Sequence, residues 1–172
     1  MNNLNIKLLS DNATLPDRGH PDDAGLDIYA AETVTLNPQE KRLINTDLAV
    51  NIPKGYVGLL TSRSGVSSKT ELVVETGKID AGYNGHMKVN IKNDLVVLIP
   101  NGTATNNIMN IKGEMMTTEQ KENFCIGTYV INKGDKIAQL VIVPIVTPEV
   151  NVVEEFESES ERGTNGFGSS GY

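Results

Sequence analysis

Gly77-Lys78-Ile79-Asp80-Ala81-Gly82-Tyr83-Asn84-Gly85-His86-Met87-Lys88-Val89-Asn90-Ile91-Lys92 carries two signals at once. From Lys88 to Lys92 apolar and polar residues alternate, the period-two pattern of a strand with one buried face. Ahead of it stands Asn84-Gly85, which predicts a tight type I′ hairpin turn, because that turn needs positive φ at both central residues. The alternation recurs in Asn5-Ile6-Lys7-Leu8, Val34-Thr35-Leu36 and Leu48-Ala49-Val50-Asn51-Ile52. Pro16, Asn37-Pro38 and Pro53-Lys54-Gly55 punctuate these runs. Many short strands between turn residues predict an all-β fold: a sandwich, barrel or jelly roll. Lys136 to Val143 reads as a central buried strand, and Asn151-Val152-Val153 as a further short one.

A chain of 172 residues is one domain, or one domain with an insertion, and can bury a substantial core. A net charge of −7 argues against a nucleic-acid duplex or an anionic membrane as the main partner, since both select basic faces. It leaves room for a small phosphorylated ligand held by a few placed cations. The single cysteine, Cys125, excludes an internal disulfide framework and a cysteine zinc cluster. His20 and His86 are isolated and lack metal-ligand spacing. No basic start with an apolar run marks a signal peptide, and no apolar stretch is long enough to span a bilayer. The expectation is a cytoplasmic protein.

Leu95 to Gly127 breaks the strand rhythm and reads as an insertion. Thr117 and Gln120 have capping-box spacing, which predicts one short helix there. Met115, Met116 and Phe124 give this segment an apolar content suited to contact with another protein. Glu154 to Glu161, with five glutamates, reads as a solvated spacer. Beyond it, Arg162-Gly163-Thr164-Asn165-Gly166-Phe167-Gly168-Ser169-Ser170-Gly171 has the parts of a phosphate-binding loop. Glycines let backbone N–H groups approach an anion, serines add donors, and Arg162 offers a planar fork.

Four upstream clusters also carry chemistry. Ala24 to Ala30 sets one carboxylate, Asp27, in an apolar strand. Ser62-Arg63-Ser64-Gly65 couples a guanidinium to hydroxyls and a turn. Gly77 to Gly85 places Asp80 and Tyr83 in a glycine-dense backbone that a ligand can approach. Gly134 to Leu140 leads a turn into the buried strand, where the polar Gln139 needs a partner.

In this order the five clusters resemble the motifs of the trimeric dUTPase family, most closely its bacterial and phage members with an insertion. The resemblance implies an all-β jelly-roll (β-clip) subunit in a homotrimer, with each active site shared among three chains. It divides the chain into a β domain over 1–156, including the insertion at about 95–127, and a C-terminal arm over 157–172. It implies hydrolysis of dUTP to dUMP and pyrophosphate in the cytoplasm, the host's if the chain is phage-encoded. Asp80 is then the general base for water attack on the α-phosphorus. Tyr83 lies against the deoxyribose and excludes a 2′-hydroxyl, and the stretch from Gly82 to Lys88 reads uracil. Gly77, Ile79 and Lys88 belong to the same substrate-binding set. Asp27 holds, through water, a Mg²⁺ bound mainly by the triphosphate. Arg63, Ser64, Gly65 and Gln139 surround the α- and β-phosphates. Arg162, Gly168, Ser169 and Ser170 clasp the γ-phosphate, with Phe167 over the base. A deaminase of deoxycytidine triphosphate shares this kind of fold, but the Asp80-to-Tyr83 cluster matches the hydrolase. The insertion has no counterpart in minimal members, and a regulatory protein partner through it is a further expectation.

Overall fold

The computed structural model describes residues 3–98, 104–118 and 124–157. Three four-stranded sheets and a two-stranded ribbon make up the fold. The first sheet runs β1 (Asn5–Leu8), β4 (Lys41–Asn51), β8 (Met87–Asn93) and β6 (Leu72–Val74). The second runs β2 (Gly25–Tyr29), β14 (Lys136–Pro144), β5 (Tyr56–Thr61) and β7 (Gly77–Ile79). The third runs β11 (Met115–Thr117), β10 (Asn107–Met109), β13 (Tyr129–Ile131) and β3 (Val34–Leu36). β9 (Ala104–Thr105) pairs with β12 (Phe124–Cys125) in the ribbon. One helical turn, α1 (Ser64–Ser67), follows β5. This is the expected all-β jelly-roll architecture; α1 is the one helix among the described residues.

Alternation decides which face of each strand is buried. In β8, Met87, Val89, Ile91 and Asn93 point inward while the residues between them face outward. They meet Ile28, Leu36, Ile44, Leu48, Ile131 and Leu140 in one core. Among the described residues no helix is long and apolar enough to cross a membrane.

Asn84-Gly85 does not form the predicted I′ hairpin. Positive φ falls on Gly82 (φ 90°) and on neither of those two residues. β7 spends its ladder on β5, while both edges of β8 are taken by β4 and β6. Residues 80–86 therefore carry the chain from one sheet to another instead of closing a hairpin. Asn151-Val152-Val153 forms no strand either. Val150 and Val152 are more than 90% exposed, and the apolar run has no neighbouring strand among the described residues.

The described parts of the insertion are short strands, β9 to β12. Thr117 closes β11 opposite Asn107 of β10, and its hydroxyl donates to Asn107 Oδ1 at 3.0 Å. An extended residue at Thr117 is compatible with a helix cap; residues 119–123, where the predicted helix would run, lie outside the described residues. Asn93, fully buried, ties both roots of the insertion to the core. Its Nδ2 donates to Leu36 O (3.1 Å) and Gly127 O (2.9 Å), and its Oδ1 accepts from Leu95 N (3.1 Å). Both N–H groups and the oxygen of this buried amide are thus used, which satisfies the group and fixes the insertion's exit and return.

Candidate functional site

The first constellation grows from the register of the second sheet. Asp27 of β2 lies opposite Gln139 of β14, and Gln139 lies opposite Thr61 of β5. Arg63, two residues beyond Thr61, comes out on the same side and reaches back across the row. Its Nε donates to Asp27 Oδ1 at 2.9 Å and its Nη2 to Oδ2 at 3.4 Å. Lys136 Nζ donates to Oδ2 at 2.9 Å and Gln139 Nε2 to Oδ1 at 3.2 Å. The Asp27 side chain is only 5% exposed. Burial alone pushes its pKa up, but the hydrogen bonds from Lys136, Gln139 and Arg63 outweigh burial and hold the carboxyl below its ordinary range.

Lys136 was not among the residues marked in the sequence, and it is central. Its ammonium also lies 3.3 Å from Asp17 Oδ1 and 5.3 Å from the centre of the Tyr29 ring, whose hydroxyl donates to Asp17 Oδ1 at 2.7 Å. These contacts, led by the bond to Asp27, raise the Lys136 pKa. The available signal was the cost of a lone buried carboxylate, which demands a cation nearby. Gly25 makes room for the row: a Cβ there would stand 3.0 Å from the Gln139 side chain. Ser64 and Gly65 open α1 beside Arg63 and are exposed.

The second constellation lies where β7 and β8 diverge into different sheets. A cavity of about 570 Å³ opens there, lined by Gly77, Ile79, Asp80, Tyr83, His86 and Lys88 among others. Its size falls within the range of small-molecule sites. Asp80 stands exposed at the end of β7. Tyr83 N donates to Asp80 O at 3.1 Å, and the Tyr83 hydroxyl donates to His86 O at 3.0 Å, so the ring folds over its own loop. Gly85 permits this: a Cβ there would lie 2.6–2.9 Å from the Tyr83 ring and hydroxyl. That close approach, and not a turn φ, is what requires glycine at 85. His86 Nε2 accepts from Asp47 N at 2.9 Å and anchors the loop to β4.

The structure brings Asp27, Arg63 and Gln139 together, and separately brings Gly77, Ile79, Asp80, Tyr83 and Lys88 together. It does not join the two groups. Ile79 pairs with Gly58, and Arg63 lies five residues further along from Gly58, roughly 16 Å at strand rise. Arg162, Phe167, Gly168, Ser169 and Ser170 lie outside the described residues. Among the described residues no cluster of three or more His, Cys, Asp or Glu side chains is arranged to hold a metal ion.

Replacing Asp27 by Asn leaves Arg63 and Lys136 facing an amide. Both cations are about a third exposed, so we expect a loss of about 2 kcal/mol in denaturant unfolding, below the roughly 3–5 kcal/mol of a fully buried pair. Because the native pKa of Asp27 is depressed, its contribution is complete above about pH 4 and fades as pH falls through the native value. Stability curves of the two proteins should therefore converge in acid; a constant gap from pH 7 to pH 2 would contradict this assignment.

The dUTPase family model matches residues 11–103 and 121–171, passing over 104–120 in the insertion. The deoxyuridine 5′-triphosphate nucleotidohydrolase of Mycolicibacterium gilvum is 36% identical over 174 residues, covering 98% of this chain and 94% of that protein. The dUTPase of Staphylococcus bacteriophage 80alpha bound to dUPNHPP, described as controlling transfer of virulence genes, superposes with a TM-score of 0.93 at 59% identity over the whole of both chains. A variant dUTPase of S. aureus phage phi11, described with a structural Mg(II) ion, gives a TM-score of 0.86 at 60% identity, covering 91% of this chain and 100% of that one. The motifs, their two constellations and these likenesses agree, and the chain belongs to the dUTPase family.

Proposed function

We propose that the protein hydrolyses dUTP to dUMP and pyrophosphate as a homotrimer whose active sites are each assembled from more than one copy. Such an activity limits uracil in DNA and supplies dUMP for thymidylate synthesis. One observation carries this reading. The nucleoside-sized cavity with Asp80 at its rim and the cationic row at Asp27 hold complementary halves of a nucleotide site, yet lie too far apart in one chain to grip one α-phosphate. A neighbouring copy reconciles them. The segment after β14 also calls for a neighbour: Val146, Val150, Val152 and Phe156 are each 89–94% exposed. Covering side chains of this kind stabilises an assembly by about 1.5–3 kcal/mol each.

In this reading Asp80 accepts a proton from water as the water oxygen bonds to the α-phosphorus. The bond from that phosphorus to the bridging oxygen breaks in line, and pyrophosphate leaves with the electron pair. Tyr83, held by His86 O, packs on the sugar face where a 2′-hydroxyl would project. Gly77, Ile79 and Lys88 shape the base and sugar cavity. Arg63, Ser64, Gly65 and Gln139 place donors around the α- and β-phosphates. Arg162, Gly168, Ser169 and Ser170 do so for the γ-phosphate, with Phe167 stacked on uracil. Mg²⁺, carried mainly by the triphosphate, supplies charge neutralisation when bound. A nucleotide-borne ion needs no protein cage, which fits the donor set here. Asp27 is the carboxylate available to its waters, and its longest contact, 3.4 Å from Arg63 Nη2, is the one that can give way.

A second, separable reading concerns the insertion. β11 is exposed along its length, with Met115 at 72% and Met116 at 41% on opposite sides of an edge strand, and such flexible apolar side chains suit a protein partner. A protein that binds the intact chain should lose that binding when Met115→Ser and Met116→Ser are combined, with dUTP turnover unchanged. Retained binding would put the contact elsewhere.

For the hydrolytic reading, Asp80→Asn should bind dUTP within a few-fold of the parent while kcat falls about 10²- to 10⁴-fold. Turnover near the parent's in a pyrophosphate-release assay would contradict the role of Asp80.

A further inference from the structure

A further cavity, about 430 Å³, lies between α1 and the turn that joins β10 to β11. Four cations line it: Arg63, Lys69, Lys112 and Lys136. Arg63 and Lys136 are committed to Asp27. The ammonium groups of Lys69 and Lys112 have no hydrogen-bond or ion-pair partner among the described residues. Asp135 is the carboxylate in the lining; its Oδ2 accepts from Asn132 N at 2.8 Å, and Lys112 acts on it only through space. Positive charge is therefore in excess, in a groove continuous with Arg63 and Gly65.

Lys112 is held there by construction. Asn110 Oδ1 accepts from Lys112 N (2.9 Å) and from Glu114 N (3.0 Å), and Asn110 Nδ2 donates to Glu114 Oε2 (2.9 Å). Gly113 has φ +76°, and a Cβ on it would stand 2.3 Å from Lys69 O. Only glycine allows the turn to rest against the end of α1, so the contact that sets the groove's width depends on a residue that lacks a side chain. None of this serves the core: Lys112 and Gly113 are exposed.

We propose that this groove is an anion subsite for a diphosphate group, with Lys112 of the insertion and Lys69 after α1 as its binding cations, so that the insertion contributes to holding the phosphate end of the substrate. The proposal rests on the nucleotide-hydrolase reading for its natural occupant, but the subsite can be probed without turnover. Two mobile ammonium groups suit a diphosphate, which presents charge in several directions, better than they suit a planar carboxylate.

The test is calorimetric titration of inorganic pyrophosphate into the full chain, alongside dUMP and steady-state kinetics with dUTP. Lys112→Gln should weaken pyrophosphate binding about 3- to 10-fold, and Lys69→Gln combined with Lys112→Gln should weaken it further, with a shallower salt dependence. Gly113→Ala keeps every charge but pushes the turn off Lys69 O, and should weaken pyrophosphate in the same direction. Affinity for dUMP, which lacks a diphosphate, should not change. If KM for dUTP rises in parallel, the occupant is the nucleotide's own phosphate end; if only free pyrophosphate is affected, it is the released product. Pyrophosphate affinity within twofold of the parent in both lysine variants, or an equal loss for dUMP, would overturn the subsite. A parent protein that binds pyrophosphate through Lys112 but releases none from dUTP would instead overturn the hydrolase reading and leave the subsite standing.

Discussion

A carboxylate buried in an apolar strand is unstable unless its surroundings supply charge and donors, and Asp27 obtains both. Arg63, which follows β5, and Lys136 and Gln139, both of β14, converge on its two oxygens. The convergence fixes the second sheet's register, since a one-residue slip of β14 against β2 would turn Gln139 away. It also sets the direction of Arg63, and with it the start of α1. Arg63 and Lys136 are left partly exposed at the surface, so the interaction that secures the fold also aims two cations outward.

The other half of the site depends on a different constraint. β7 and β8 belong to different sheets, and the seven-residue crossing between them must be held without ladder bonds. Tyr83 and His86 provide the hold, the first by folding over Gly85 and the second by binding the backbone of Asp47. A loop built this way leaves Asp80 exposed at a cavity edge, where a carboxylate can meet water. Under the proposed function, the separation of the two halves within one chain makes assembly part of the chemistry.

Strands were legible wherever one face is buried and the partner lies in the same chain. Asn5 to Leu8, Val34 to Leu36 and Lys88 to Lys92 follow their alternation closely. Asn151 to Val153 lacks that alternation and forms no strand, with Val152 91% exposed and no ladder partner among the described residues. Asn84-Gly85 misled for a related reason: a turn signal is local, whereas ladder partners are decided across the molecule. The five clusters identified the family, but not the internal wiring of the site. Lys136 became visible only through the register of β14 against β2, and Lys112 only through the contact of Gly113 with Lys69 O. Both are long-range facts with no short-range signature.

The central claim is that the Asp80 half and the Arg63 half of each working site come from different copies. Mixing two individually inactive variants, Asp80→Asn and Arg63→Ala, then dissociating and reassembling them together, tests it directly. Random assembly places an intact Asp80 opposite an intact Arg63 in about one site in four, so dUTP turnover should recover to roughly a quarter of the parent's. If both residues served the same site from one chain, every site would lack one of them, and the mixture would stay as inactive as its components.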